Sequence, residues 1–454
     1  MQHMAAHAGP VLPSPTVLFR QFVDGDLGCA SYLVGDVAAG EALLVDPAYA
    51  IEPYLEAAAE AGVRIVKVLE THTHADHVSG HGRLALEHGI PVAIHPAAEP
   101  EYPFEPLADG QEIRVGEVVV RVVHTPGHRP EHCSFLVPGE LVLTGDSLFV
   151  GDAARPDLAV EAREGAEGLF HSLRRLAALG DGVAVYPGHV AGSLCGAAMS
   201  SKASTTIGFE RRFNHALQGG LQEFVEAALG SQPPRPPNME RIVELNRGQL
   251  LGAQPPLERL DAVPEDAIVL DVRPTAVFAA GHHPGAVGIP ISGSSFATKA
   301  AFVMPERALL LHATDEGEAV RAARSLHAVG LFEIAGWQEG GGSERLEPVS
   351  LDELQTLLGN DAIELLDVRE AEERDEGHVP GSRHLPYRTA RAAAEAGLLN
   401  GRPVVTICES GARAAIAASV LQAAGVDARP VLDGGIPDWQ ARGGETTSFR
   451  RCGS

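Results

Sequence analysis

The sequence of 454 residues predicts an α/β protein of three folded units, 1–250, 257–342 and 347–454. Three observations carry this expectation. At roughly 150 residues per domain the length calls for about three; Pro- and Gly-rich stretches interrupt the chain between the units; and the last two units repeat each other. With 45% hydrophobic and 21% charged residues, the chain has the composition of a folded protein rather than a disordered one.

The interruptions are Gln232-Pro-Pro-Arg-Pro-Pro237 with Gly252-Ala-Gln-Pro-Pro256, and then Glu339-Gly-Gly-Gly-Ser-Glu-Arg-Leu-Glu-Pro348. Both have linker composition. In the first unit, 41–46, 65–69, 117–123, 134–137, 141–144 and 183–186 are short apolar runs of strand type. Residues 53–61 and 166–179 carry helical spacing. Many strands with few helices predict packed sheets with helices outside.

The second and third units superpose on sliding by 96 residues: Asp271-Val-Arg273 on Asp367-Val-Arg369, Gly281-His282 on Gly377-His378, Pro284-Gly285 on Pro380-Gly381, and Pro290 on Pro386. Eight identities in a 20-residue window mark a true repeat. Each copy reads as strand, helix, turn and strand, then a loop and an Ala-rich helix (318–329 and 412–424). Such alternation predicts parallel sheets covered on both faces.

Lys plus Arg number 35 against 60 Asp plus Glu, a net charge of -25. That charge disfavours nucleic acid and anionic lipid as partners. The chain has no long apolar run of membrane type and no signal-peptide pattern at its start, so the expectation is a cytoplasmic protein with no membrane partner. The five cysteines, 29, 133, 195, 408 and 452, are widely spaced and odd in number, which is no disulfide framework.

Histidine is more telling. After the strand 65–69 comes His72-Thr-His74-Ala-Asp76-His77, in which residues two apart share a face. His128 follows a Pro-Gly turn, Asp146 ends the run Thr144-Gly-Asp146, and His189 follows a second Pro-Gly turn. Every one of these groups stands where a strand becomes a loop, so together they predict a metal site at one sheet edge. His81, His88, His95 and His124 lack this setting and read as structural or surface residues.

The third unit places Cys408 between the strand-like Val404-Val-Thr-Ile407 and a helix, in the loop Cys408-Glu-Ser-Gly-Ala-Arg413. Backbone N–H groups of a cradle formed by Glu409, Ser410, Gly411 and Ala412, with the helix N-terminus and Arg413, favour a thiolate and then an anionic persulfide. In the second unit the matching position falls on His312, Ala313 or Thr314, none of them a thiol. That unit is expected to be inactive, a spacer or docking surface.

The series His-x-His-x-Asp-His, Thr-Pro-Gly-His, Thr-Gly-Asp and Pro-Gly-His resembles that of the metallo-β-lactamase superfamily over residues 18 to about 215. The resemblance implies an αββα sandwich. Two branches share these motifs. Glyoxalase II-like thioester hydrolases would use all seven residues for two metals, zinc in the alternative reading, bridged by Asp146. Persulfide dioxygenases would use His72, His128 and Asp146 for one Fe(II) per chain, with His74, Asp76, His77 and His189 around the ligands. Three ligands on one face leave three open positions for a persulfide sulfur and O2.

The stretch 144–152, continued by Arg155-Pro-Asp157, looks like the dioxygenase branch. Residues 186–196 with Thr205-Thr-Ile-Gly208 are similar to its rhodanese-fused subgroup. Arg155 has two readings, an ion pair with Asp157 or a contact to an anionic substrate. Cys195 is either structural or a sulfur relay facing the metal, and Cys29 and Cys133 read as packing residues. The third unit resembles rhodanese sulfurtransferase domains, and by the repeat the second is a pseudo-rhodanese.

The combination implies a sulfide-detoxification enzyme. A low-molecular-weight thiol persulfide would be oxidised by O2 to sulfite, and Cys408 would pass a second sulfane sulfur to sulfite, giving thiosulfate. Other readings are a zinc thioester hydrolase with an appended sulfurtransferase, a non-catalytic sulfur carrier or sensor, and a rhodanese step running from thiosulfate toward persulfide. The fused modules also offer surfaces for a homo-oligomer.

Overall fold

In the computed structural model, which describes residues 4–7, 17–156, 161–190, 202–230, 235, 238–399 and 401–449, the chain forms two compact units. One is Met1–Gln254 with His327–Gly330, the other Pro255–Leu326 with Leu331–Ser454.

Two sheets face each other in the first unit. One runs in chain order through Met4–His7, Val17–Asp24, Ala30–Asp36, Glu41–Val45, Arg64–Leu69, Val92–Ile94 and Glu105–Pro106. The other has the spatial order Thr205–Thr206, Ala184–Pro187, Leu141–Gly145, Cys133–Val137, Val118–His124, Glu112–Val115. Strand alternation distributes the side chains. Tyr32, Val34, Val118, Val120, Val122, Phe135 and Leu143 point into the space between the sheets. Leu33, Leu44 and Val68 pack outward on Tyr54 of the helix Glu52–Glu60 and Leu84 of the helix His81–His88. On the far side, Leu136, Val142 and Val185 pack on Ala166, Leu169, Leu173 and Leu176 of the helix Ala162–Ala177. This is the αββα layering that the motifs imply.

The second unit holds both repeats, each with its own four-stranded parallel sheet. The orders are Val287–Gly288, Ile268–Asp271, Leu309–His312, Ile334–Gln338 and Arg383–His384, Glu364–Asp367, Val404–Ile407, Ala428–Pro430. The repeats share one unit because the helix Ala412–Ala423 is buried from Ala414 to Leu421 and Ser419 Oγ accepts the Gly288 N–H at 3.1 Å. Its small side chains allow a close approach on more than one face.

The repeated Asp-Val-Arg has a structural meaning. Fully buried Asp367 accepts from Arg369 Nε at 3.0 Å and Nη2 at 2.8 Å, and Nη2 also donates to the Gly377 carbonyl at 2.6 Å. The pair ties the strand end to the Gly-His turn. Arg273 links Asp271 to the Gly281 carbonyl in the same way. Burial raises the Asp367 pKa, but the hydrogen bonds and charge of Arg369 outweigh it and hold the carboxyl below its ordinary value. A folded pKa below the unfolded one, about 3.9, makes this stabilisation complete above that pH and lost as pH falls.

Two outcomes follow for stability. Phe135→Ala opens a cavity between the sheets and should cost the first unit about 3–5 kcal/mol in denaturant titration; a loss under about 1 kcal/mol would contradict the packing. Asp367→Asn strands Arg369 and should cost about 3–5 kcal/mol at pH 7. That difference from the parent should shrink as pH drops toward 3, and a constant difference would contradict the pairing.

Candidate metal centre and cysteine loop

The ligand-type residues sit at the ends of neighbouring strands. Leu141–Gly145 pairs parallel with Ala184–Pro187, Gly145 opposite Pro187, so Asp146 and His189 emerge side by side. The two preceding glycines are required. A Cβ on Gly188 would lie 2.5 Å from Asp146 Oδ1, and one on Gly145, at φ +48°, 2.7 Å from His132 Nε2. Arg64–Leu69 delivers His72 and Val118–His124 delivers His128 to the same end.

His72, His128 and Asp146 are buried, with ligand atoms all within 4.8 Å of one another. Their outward bonds decide which atoms face inward. Thr71 Oγ1 donates to Asp46 Oδ2 at 2.8 Å and therefore accepts from His72 Nδ1, also 2.8 Å away. His128 Nδ1 donates to the Arg155 carbonyl at 2.9 Å. Both rings thus keep the Nε2 lone pair for a metal. Asp146 Oδ2 is buried with no hydrogen-bond partner among the described residues, 3.7 Å from His128 Nε2. A cation fits this set: two imidazole lone pairs and an unsatisfied carboxylate oxygen. Burial first, then neighbouring imidazoles, hold the His72 pKa well below its ordinary value; burial also lowers that of His128. Both stay in the neutral, metal-binding form.

The remaining predicted residues surround this set. His189 Nδ1 bonds Asp146 Oδ1 and its Nε2 bonds Asp76 Oδ2, each at 2.7 Å. Burial would lower the His189 pKa, but the two carboxylates outweigh it and push it up to about 10. His74 Nε2 lies 3.2 Å from Glu70 and 3.4 Å from Asp46. His74, Asp76 and His77 form a second group whose ligand atoms converge, with His74 Nδ1 and His77 Nε2 unpartnered among the described residues.

Arg155 is buried and offers its carbonyl to His128. Asp157, Cys195 and Cys452 lie outside the described residues, so the expected Arg155 pair and the Cys195 relay are not described. Cys29 and Cys133 are buried free thiols. His81 is buried against Glu70, while His95 and His124 stack on each other at 4.3 Å.

Sequence reasoning missed four acidic and basic partners and one histidine. Asp46 and Glu70 hold His74. Glu131 accepts from Thr73 N at 3.1 Å and Arg129 Nε at 2.7 Å. His132 Nε2 accepts from the Asp146 N–H at 3.0 Å and so keeps its proton on Nδ1, toward Thr125 Oγ1 at 2.9 Å. Burial first, then His128, lowers the His132 pKa to about 3. Its spacing of four from His128 was the available signal.

In the C-terminal repeat, Cys408 follows the strand Val404–Ile407 and is 1% exposed. Gly411, at φ +91°, begins the helix and donates its N–H to Cys408 Sγ at 3.1 Å. Glu409, Ser410 and Ala412 are exposed. Both terminal nitrogens of Arg413 donate to Glu373 at 2.5 Å, and its guanidinium also interacts electrostatically with Cys408.

Sheet register settles the equivalent position in the other repeat. Asp367 pairs with Ile407 and Asp271 with His312, so Ala313, fully buried, stands where Cys408 stands. The loop's own carboxylates take its N–H groups: Glu318 Oε2 accepts from Thr314 N at 2.6 Å and Asp315 Oδ1 from Glu318 N at 2.7 Å. No thiol is present, and the amides of Thr314 and Glu318 are already used.

Residues 24–189 match the family model of the metallo-beta-lactamase superfamily, and residues 350–442 that of the rhodanese-like domain. A Mycobacterium leprae protein, itself uncharacterised, is 33% identical over 45% of this chain and 100% of its own length. The mitochondrial persulfide dioxygenase ETHE1 of Bos taurus is 28% identical over 54% of this chain and 92% of its own. A solved structure titled as a metallo-beta-lactamase from Staphylococcus aureus has a TM-score of 0.65 at 28% identity, covering 72% of this chain and 99% of that one. Among the described residues no helix is long and apolar enough to cross a membrane.

Replacing His72, His128 or Asp146 by Ala should lower metal occupancy, measured by elemental analysis, by more than the roughly 10–100-fold in affinity typical of groups that only orient ligands. His124→Ala should retain the parent's metal. Equal occupancy across all four variants would contradict this ligand set.

Proposed function

Because the chain belongs to the metallo-beta-lactamase superfamily through residues 24–189 and carries a rhodanese-like domain at 350–442, we propose that it is a sulfide-detoxifying persulfide dioxygenase and sulfurtransferase. The observation that carries the reading is the set His72, His128 and Asp146 with both nitrogens of His189 committed to Asp146 and Asp76. A second metal would have to displace the bond between His189 Nε2 and Asp76. The likeness to ETHE1 supports the same choice.

His72 Nε2, His128 Nε2 and Asp146 would hold one Fe(II) facially, with zinc the alternative. Iron there would supply open positions at which a thiol persulfide and O2 meet, together with the electrons for O2 activation. The chain's own groups do the positioning. Thr71 and the Arg155 carbonyl fix the two imidazoles, and His189 together with the His132-held amide fixes the Asp146 carboxylate. The balance is RSSH, O2 and water giving RSH, sulfite and two protons.

Cys408 then works on a second persulfide. Its thiolate attacks the outer sulfur, the S–S bond breaks, and RSH leaves with the proton. The Gly411 N–H that meets Sγ supports the anion. Sulfite attacks the terminal sulfur of the Cys408 persulfide, releasing thiosulfate and restoring the thiolate. The second repeat, with Ala313 at that position, takes no part in transfer.

Cys408→Ser should therefore keep O2 uptake with glutathione persulfide while the product changes from thiosulfate to sulfite, read by ion chromatography. Thiosulfate at the parent's rate from the variant would overturn the coupling. An absence of O2 uptake by the parent would favour the hydrolase.

A further inference from the structure

Gly411, whose N–H meets Cys408 Sγ, is followed within two residues by Arg413, and the fork of that guanidinium is filled from within the chain. Nη1 donates to Glu373 Oε2 and Nη2 to Glu373 Oε1, each at 2.5 Å. An oxyanion ligand makes this same pair of parallel bonds with a free arginine. Glu373 Oε2 also accepts the Glu370 N–H at 3.1 Å, closing the first turn of the helix Ala371–Glu376, so the carboxylate is held from two sides. Burial raises its pKa, but Arg413 outweighs burial and holds it below the ordinary value, which leaves Glu373 charged at neutral pH. The other arginine that reaches the loop is committed as well. Arg369 donates to Asp367 from Nε at 3.0 Å and Nη2 at 2.8 Å, and its Nη1 lies 3.7 Å from Oε2 of Glu409, the residue after Cys408. Two guanidiniums near the thiol thus meet three carboxylates, and neither offers an open fork to an incoming anion.

We propose that Glu373 is a specificity-determining residue of the Cys408 loop: by filling the Arg413 fork it disfavours oxyanion sulfur donors, thiosulfate above all, and reserves the thiol for organic persulfides. The proposal rests on the sulfurtransferase reading of Cys408. With thiosulfate as donor, the Cys408 thiolate attacks the outer sulfur, the S–S bond breaks, and sulfite leaves with the electron pair. That donor brings a doubly charged oxyanion to a place where Glu373 and Glu409 supply like charge and Arg413 has no donor to spare. An organic persulfide presents the same outer sulfur without the oxyanion. The exclusion also acts on thiosulfate as a product, which leaves once formed, and sulfite is held no more tightly, so its capture depends on its concentration.

The test follows thiocyanate formation above the uncatalysed rate, with cyanide taking the outer sulfur of the Cys408 persulfide and restoring the thiolate. Thiosulfate and 2-hydroxyethyl persulfide serve in turn as donors to the parent, Glu373→Gln and Glu376→Gln. Gln at 373 keeps an acceptor for the Glu370 N–H and removes the charge. Glu373→Gln should lower the KM for thiosulfate about tenfold and leave that for 2-hydroxyethyl persulfide within about twofold. Glu376 is exposed on the same helix, and its Gln variant should match the parent with both donors. An unchanged thiosulfate KM in Glu373→Gln would overturn the proposal. Equal changes with both donors would also overturn it and make Glu373 a support of the loop, and an equal gain in Glu376→Gln would reduce the effect to the net charge of the helix. If Glu373→Gln fails to fold, Glu373→Ala decides by the same comparison. A parent that transfers sulfur from neither donor would sink the transferase reading. Protection of Cys408 from iodoacetamide by sulfate, followed by peptide mass, then still decides the role of Glu373: the variant should need about tenfold less sulfate than the parent, and equal protection would overturn that role.

Discussion

His189 stands with each ring nitrogen on a carboxylate, Asp146 on one side and Asp76 on the other, and the end of the sandwich is organised by that bridge. Buried ionisable groups are tolerated only when paired, hydrogen-bonded or on a metal. Here each is assigned. His74 goes to Asp46 and Glu70, His128 to the Arg155 carbonyl, His72 to Thr71, and His132 to the Asp146 amide. Among the described residues this leaves one carboxylate oxygen and two imidazole lone pairs converging at His72, His128 and Asp146, with His74 Nδ1 and His77 Nε2 unpartnered in the neighbouring group. The sheets supply the rigidity, since parallel pairing of Leu141–Gly145 with Ala184–Pro187 sets Asp146 beside His189 before any side chain is chosen.

The two repeats make a controlled comparison within one chain. Both keep the buried Asp–Arg pair that ties the first strand to its turn, so that pair belongs to the fold and not to sulfur chemistry. They part at the loop. One repeat presents Cys408 with a glycine amide on its sulfur; the other has Ala313, and the amides of Thr314 and Glu318 go to Glu318 and Asp315. The two loops therefore differ in more than the thiol.

Much of this was legible in the sequence. The convergence of His72, His128 and Asp146 was readable because each sits where a strand ends, and the repeat because its identities fall at one offset. The helix expected at 166–179 runs Ala162–Ala177, and that expected at 412–424 runs Ala412–Ala423. The strand Val17–Asp24 was hidden because polar Gln21 is buried inside it, hydrogen-bonded to Tyr32 and the Ala203 carbonyl. Glu70 and Asp46 were invisible as partners because they meet through His74, and Glu373 was invisible as the partner of Arg413 because it lies 40 residues away. Pairings distant in sequence leave no local pattern.

The central claim is one iron held by His72, His128 and Asp146, and an X-ray absorption spectrum of the protein as purified from iron-supplemented cells tests it most directly. The account predicts an iron edge, a first shell of nitrogen and oxygen scatterers only, and no metal–metal vector. Zinc with a second metal at about 3.5–4 Å would contradict it.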